Sequence, residues 1–280
     1  MIYNLLKGKK GIIFGALDEK SIAWKVALRA HEEGAGIVLT NAPIALRMGQ
    51  INELSRKCGN APVIPADATS VEDIEKLYGQ AKEHFGSGVD FILHSIGMSP
   101  NVRKGRDYGD LNYEWFLRTL DVSGLSFHKI MQVAEKTNLM NEWGSILALS
   151  YIAAQRTFPD YSDMGQAKAV LESIARSYGY RFALKKKVRV NTISQSPTVT
   201  TAGTGITGFD VFYEYADKMS PLGNATAEDC ANLCVMMFSD LTRRVTMQNL
   251  FSDGGFSSSG ITEGLVNELM KNRETDAGAE

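Results

Sequence analysis

Lys10-Gly11-Ile12-Ile13-Phe14-Gly15-Ala16-Leu17-Asp18-Glu19-Lys20-Ser21-Ile22-Ala23-Trp24 carries the reading of the fold. A short apolar run ends at a glycine. A polar turn follows, and apolar residues then recur at helical spacing from 21 to 33, stopping at Gly34. The run has strand length and the periodic stretch has helix length, so this is strand, turn, helix. Gly15 can let the backbone approach a pyrophosphate. Ser21 can cap the helix and donate to a phosphate, and the helix start adds free N–H groups. The stretch is not GxGxxG, and alone it also fits a plain strand–turn–helix.

The alternation continues outward to the end of the chain. Further strands are predicted at 36–40, 63–66, 89–94, 145–149, 188–193 and 248–251. Helices are predicted at 44–58, 71–85, 113–135, 161–183 and 228–238. Strands separated by helices of this length imply βαβ units and a parallel sheet, and strands this apolar imply a sheet covered on both faces. The expected fold class is α/β, a single Rossmann-type doubly wound parallel sheet with helices on both faces. One dinucleotide-binding and catalytic domain is expected over 1–270. The segment 194–220 breaks the pattern, being rich in Thr and Gly and then aromatic at Phe209, Phe212, Tyr213 and Tyr215. Within it, 201–219 reads as a mobile substrate-binding segment. Residues 271–280 are polar and are expected to form a flexible tail.

The 280 residues are 44% hydrophobic and 22% charged, with a net charge of −2, which gives no reason to expect nucleic acid or an anionic membrane as a partner. No apolar run reaches the roughly 18 residues of a membrane span. The first ten residues lack a signal peptide's apolar core and cleavage site, and a cytoplasmic protein is expected. Cys58, Cys230 and Cys234 make no disulfide framework. Cys230 and Cys234 share one face of an apolar helix and read as core rather than as a metal pair, so no metal is expected.

In such a sheet, ligands bind beyond the C-terminal ends of the strands. Those ends supply Gly15, Ser21 and Ile22, then Thr40-Asn41-Ala42-Pro43, then Asp67-Ala68, then Ser95-Ile96-Gly97. The second end has neither an acidic residue for a ribose 2′-hydroxyl nor an Arg for a 2′-phosphate, and Arg47 lies a turn further on. NADH is expected ahead of NADPH. Asp67 could accept from the adenine amino group or belong to an ordinary helix N-cap region. His94, alone at its strand end, reads as structural.

The fifth strand ends at Leu149-Ser150-Tyr151, and Tyr161-Ser-Asp-Met-Gly-Gln-Ala-Lys168 follows. Seven residues are close to two helical turns, which would put Tyr161 and Lys168 on one face. The ammonium would favour the phenolate and lower the tyrosine pKa, and it could bind the nicotinamide ribose hydroxyls. The phenol could donate to an oxygen gaining negative charge. Taken alone, the pair better fits a part-buried tyrosine and a solvated lysine. Its place after the fifth strand, with Tyr151 ten residues earlier, points instead to chemistry.

With these residues in view, the chain resembles the short-chain dehydrogenase/reductase superfamily, and within it the bacterial enoyl-acyl-carrier-protein reductases. Ordinary superfamily members carry Tyr-x3-Lys. The enoyl reductases carry Tyr-x6-Lys with a second tyrosine upstream, matched here by Tyr151, Tyr161 and Lys168. The run from 150 to 169, Ser21-Ile22-Ala23-Trp24, His94-Ser95-Ile96-Gly97 and Asp253-Gly254-Gly255-Phe256 follow the family pattern, and the resemblance covers about residues 5 to 258.

The resemblance implies that NADH delivers hydride to the β-carbon of a trans-2-enoyl thioester carried on acyl carrier protein. Tyr161 would then hydrogen-bond to the enolate oxygen, Lys168 would hold the cofactor ribose, and Tyr151 would line the acyl pocket. Gly15, Ser21, Ile22, Asp67, Ala68, Ser95, Ile96, Gly97, Lys168, Ile193, Pro197, Thr198 and Thr200 would surround the dinucleotide. Met164, Ile206 and Phe209 would join the two tyrosines at the substrate, and a homotetramer is implied. Three departures stand out. Gln195-Ser196-Pro197 replaces the family's Ala-Gly-Pro, and Lys25 replaces a glycine. The stretch 207–216 has no basic residue to meet an acidic carrier, while Asp210 and Glu214 are acidic. Two other readings remain open: a short-chain carbonyl or alcohol oxidoreductase, and a non-catalytic dinucleotide sensor.

Overall fold

The computed structural model describes residues 2–277 apart from 49, 202, 206 and 207. Six parallel strands form one sheet among the described residues. They are β1 (Lys10–Phe14), β2 (Gly36–Thr40), β3 (Val89–His94), β4 (Met140–Ser150), β5 (Arg189–Gln195) and β6 (Asn249–Ser252), in the order β2-β1-β3-β4-β5-β6. The order reverses between β1 and β3, so their C-terminal ends form the crevice where such folds bind ligands.

Helices cover both faces. On one side, α4 (Val71–Phe85), α7 (Ser126–Lys136) and α8 (Met164–Lys186) bury Ile74, Leu77, Phe127, Ile130 and Leu171 against Ile12, Ile92 and Ile146. On the other, α1 (Ile22–Glu32), α3 (Ile51–Lys57) and α10 (Ala227–Phe238) bury Trp24, Val26, Leu54 and Phe238 against Ile13, Leu93 and Leu147. Cys58, Cys230 and Cys234 lie in this second layer as buried thiols. The short α2 (Pro43–Met48) and α5 (Pro100–Arg103), with α6 (Tyr113–Leu120), α9 (Phe209–Met219) and α11 (Glu263–Ala277), complete the helices.

Gly11 is required by a close approach. A Cβ there would lie 2.1 Å from the Phe91 ring, and that ring is held by stacking on Phe238 at 4.4 Å. Gly11→Ala is expected to lower stability by about 1–3 kcal/mol through overpacking, read as a lower denaturation midpoint at unchanged m-value.

Several predicted elements differ from the structure. The strand at 63–66 reduces to a single bridge between Val63 and Leu39. Pro62 and Pro65 bracket it, and a proline cannot donate to a ladder. The helix at 44–58 divides into α2 and α3, and the Gln50 N–H leaves the helical pattern to donate to the Leu17 carbonyl. The helix at 113–135 runs as α6 and α7 joined by a π-helical turn, Asp121–Leu125. The predicted tail continues α11 as far as Ala277, and Lys218 on α9 pairs with Glu268 at 2.9 Å.

The predicted helix at 161–183 begins only at Met164. Tyr161 closes a preceding 3-10 turn, Pro159–Tyr161, and Ser162 then takes φ +43°. Tyr161 and Lys168 therefore do not share a helix face, because one of them is not on the helix.

Candidate active site

The strand ends open into a cavity of about 440 Å³. Its cofactor end is walled by Gly15, Ser21 and Ile22 after β1, by Asn41 after β2 and by Ser95, Ile96 and Gly97 after β3. Gly15 sits at φ +98°, and a Cβ there would lie 2.0 Å from the Ser95 carbonyl oxygen, so the loops after β1 and β3 touch through it. Ser21 occupies the N-cap position of α1 without capping it. Its hydroxyl accepts from Leu17 N–H at 3.3 Å and donates to the Asp18 carbonyl at 2.8 Å, bracing the loop itself.

The π-helical turn fixes the next wall. Ser123 accepts from the Met98 N–H at 2.9 Å and donates to the Met98 carbonyl at 3.0 Å. Without the extra residue of the turn, Ser123 would point elsewhere on the helix. Just beyond, the buried Asp163 carboxylate accepts from Ser99 Oγ at 2.5 Å, Asn101 Nδ2 at 2.7 Å and Thr119 Oγ1 at 2.9 Å. These bonds tie the loop after β3 and α6 to the turn that carries Tyr161.

Lys168 is buried, and its Nζ donates to the Leu149 carbonyl at 2.7 Å. An ammonium has three donors, so this bond leaves two for a ligand. Gly97 lies opposite, where a Cβ would be 3.7 Å from Nζ. Burial draws the Lys168 pKa down to about 8, and Glu172, one turn along α8, opposes that shift. Glu172 is itself fixed, accepting from Ser150 Oγ at 2.6 Å and Gln155 Nε2 at 3.0 Å.

The other end is aromatic. The Tyr151 ring lies 5.2 Å from Tyr161, 5.4 Å from Phe158 and 5.8 Å from Phe212, and all four line the cavity with Met164 and Phe209. The Tyr151 hydroxyl is buried with no hydrogen-bond partner among the described residues. Burial pushes both tyrosine phenols well above their usual pKa. This corrects the expected lowering of Tyr161 by Lys168: desolvation dominates, and the phenol stays protonated as a donor.

Other expected residues fall outside the wall. Ile193 is wholly buried between the sheet and the α1/α10 layer. Ala68 belongs to the core under α4, and the Asp67 carboxylate is used by Thr69, accepting from its N–H at 2.8 Å and its hydroxyl at 2.7 Å. Both lie one step past Asn41, whose carbonyl accepts from the Ala66 N–H. Ile206 lies outside the described residues. Pro197, Thr198 and Thr200 line the cavity beside Gln195 and Ser196. His94 is buried with Nε2 2.8 Å from Ser126 Oγ, and burial with the nearby Lys168 charge brings its pKa to about 3, so it is a neutral core histidine.

The sequence points to Asn41 as a strand-end residue and to Phe212 within an aromatic binding segment, but not to Phe158 or to the Asp163 network. Asn41 ends a strand, where ligands are expected. Phe158 gave no comparable signal, since a lone aromatic residue between a strand and a helix reads equally as core. The departures have plain roles here. Gln195 Nε2 donates to the Ala225 and Thr226 carbonyls, each at 3.1 Å, and Lys25 pairs with Glu228 across α1 and α10 at 2.9 Å.

The cavity has the groups a nicotinamide dinucleotide needs: a close-packed loop beside a helix start, an ammonium with spare donors, and an apolar end with protonated phenols. Comparison with known proteins agrees. The family model described as "Enoyl-(Acyl carrier protein) reductase" matches residues 15–257. The NADH enoyl-acyl-carrier-protein reductase FabI of Aquifex aeolicus is 34% identical over 273 residues, which cover 96% of this chain and 98% of that protein. The crystal structure of a FabI–NADH complex from Alistipes finegoldii is 63% identical, with a TM-score of 0.92 over 94% of this chain and 92% of that one. A Bacillus cereus enoyl-acyl-carrier-protein reductase, solved with NADP+ and an indole naphthyridinone, is 29% identical, with a TM-score of 0.85 over 92% of this chain and 99% of that one. Sequence match, fold and site geometry lead to one conclusion: this chain belongs to the enoyl-acyl-carrier-protein reductase family.

Proposed function

We propose that this protein reduces the trans-2 double bond of an enoyl thioester carried on acyl carrier protein, as a step of fatty-acid elongation, with NADH as hydride donor. The observation that carries the reading is the joining of Lys168, Tyr161 and Tyr151 along one cavity floor, from a polar end to an apolar one.

NADH bound along the strand ends would supply the hydride. Lys168, anchored on the Leu149 carbonyl, would hold the ribose hydroxyls with its two remaining N–H donors. Gly15, Ser21 and Ile22 would hold the pyrophosphate beside the start of α1, and Ser95, Ile96 and Gly97 would line the dinucleotide at the end of β3. Asp67 and Ala68 would meet an adenine extending past Asn41. Pro197, Thr198 and Thr200 would hold the nicotinamide end, with Ile193 as buried support. Asn41 stands at the strand end where an acidic residue would choose a ribose 2′-hydroxyl, and NADH is proposed ahead of NADPH because the curated relatives are NADH enzymes.

Hydride addition at the β-carbon places negative charge on the thioester oxygen. Tyr161 would donate its phenolic hydrogen bond there. Tyr151, Met164 and Phe209 would hold the acyl group beside it. A homotetramer is proposed on the apolar surface that α6 and α8 leave exposed at Tyr113, Leu117, Tyr180 and Leu184, which light scattering would test. A cytoplasmic location goes with three unpaired cysteines.

The test is direct. NADH absorbance falls on adding a crotonyl thioester and stays constant with simple ketones. Turnover of ketones alone would favour a carbonyl reductase, and NADH binding with no turnover would favour a sensor.

A further inference from the structure

The turn that carries Tyr161 holds two unfavourable features side by side. Ser162 takes φ +43° and ψ −133°, a region a serine seldom enters, and its buried hydroxyl has no hydrogen-bond partner among the described residues. Asp163, the next residue, is fully buried, and its carboxylate is met by two hydroxyls and an amide rather than by a cation. A buried carboxylate is costly, and strained backbone persists only where its surroundings over-determine it.

The surroundings do so here. Ser99 Oγ accepts from the Val102 N–H at 3.0 Å, which turns its own proton to Asp163 Oδ1 at 2.5 Å. Asn101 Oδ1 accepts from the Asn112 N–H at 3.1 Å, which turns its amide nitrogen to Asp163 Oδ2 at 2.7 Å. Thr119 Oγ1 reaches the same oxygen from α6 at 2.9 Å. Ser99 and Asn101 are thus committed donors. An acceptor-only group suits both, and an amide in its place would turn a donor towards one of them. Both follow Gly97 and Met98, which line the cavity beside Lys168. Ser123 grips Met98 through its N–H and its carbonyl, so this wall is held independently of Asp163.

We propose that Asp163 is a positioning residue, which registers the Tyr161 phenol on the cavity wall after β3 rather than on helix α8. The inference rests on the proposed reduction of enoyl thioesters. With its bonds lost, the turn can relax from the positive φ of Ser162 and carry Tyr161 with it. Lys168 stays on α8, anchored on the Leu149 carbonyl, and Met98 stays on Ser123. A reacting group misplaced by about 1 Å can lose about 100-fold in rate. The effect therefore falls on kcat and spares cofactor affinity.

The test is a double-mutant cycle in the full-length protein, with NADH and a crotonyl thioester. Asp163→Asn keeps the side chain's size and is expected to lower kcat about 10-fold, with NADH affinity within about twofold of wild type. Thr119→Val removes one of the three bonds from α6 and is expected to lower kcat about threefold. In a Tyr161→Phe background each change should cost less than about twofold, because no phenol remains to be aimed. Equal losses in both backgrounds would show a merely structural role and overturn the proposal. It is also overturned by an NADH affinity that falls with kcat, or by a kcat that neither variant changes. If Asp163→Asn does not fold, Thr119→Val decides. A second readout needs no turnover. In protein labelled with fluorotyrosine, the fluorine NMR line that Tyr161→Phe removes reports this phenol. It should move in Asp163→Asn and in Thr119→Val, and a line that stays in place in both overturns the proposal. A wild-type protein that reduces no enoyl thioester loses the proposed function, and the fluorine line then judges this inference alone.

Discussion

Tyr161→Phe lowers kcat on crotonyl thioester by about 100-fold and leaves NADH affinity unchanged within twofold. The substitution removes one hydrogen-bond donor and nearly no volume. Removal of a single donor to a developing oxyanion typically costs about 10²–10³ in kcat. The expected value is at the lower end because the Tyr151 hydroxyl is close, buried and unpartnered, and can take over part of the task. Tyr151→Phe alone therefore has a small effect, and the double variant falls below the product of the two. Stopped-flow turnover with fluorescence titration of NADH separates the effects. An NADH affinity that falls with kcat would place Tyr161 in cofactor binding instead.

Lys168→Ala weakens NADH binding by roughly 10- to 100-fold, because it removes a buried ammonium and the two hydrogen bonds it offers a ribose. The wild-type protein should show the same dependence through pH. The folded Lys168 pKa is lowered to about 8, so the ammonium is mostly charged at pH 7 and mostly neutral at pH 9. NADH affinity should therefore fall as the pH rises through 8, by up to about tenfold per unit. The sign for stability is the opposite. The folded pKa lies below the unfolded value, so the unfolded state holds the extra proton between them and stability rises from about pH 8 to 10.5. Lys168→Arg keeps its charge and should lose the pH dependence of binding. Calorimetric titration from pH 6.5 to 9.5 checks both, and a flat wild-type profile would remove the ribose role.

Much of this was legible in the residues themselves. The strand–helix alternation follows from hydrophobic period, and period is local. The lining roles of Gly15, Ser95 and Gly97 follow from strand ends, because in this architecture the end of a strand is a place in space, and that of Lys168 from its pairing with Tyr161 after the fifth strand and from the family resemblance. What escaped had non-local causes. The strand at 63–66 carries a fitting apolar pattern, yet Pro62 and Pro65 deny it a ladder. The Tyr161 phenol is protonated because of what buries it, which a neighbouring lysine in sequence does not report. Asp163 reads as an ordinary helix-start carboxylate, and only folding brings Ser99, Asn101 and Thr119 to it. Phe158 and Phe256 are 98 residues apart and meet only in the folded chain.

The positive φ of Ser162 changes what the spacing of seven means. A Tyr-x3-Lys pair is a matter of phase: both residues ride on one rigid helix, and their separation is set by its pitch. Here the phenol sits on a 3-10 turn in front of the helix, and the separation is set by that turn and by the Asp163 bonds that hold it. Phase cannot be adjusted without rotating the helix against the sheet, but a turn can be. A change at residues 159–163 can therefore shift the phenol while the Lys168 ammonium, carried on the helix behind it, stays where it is. The two groups are placed by different parts of the chain, and one can be repositioned without the other.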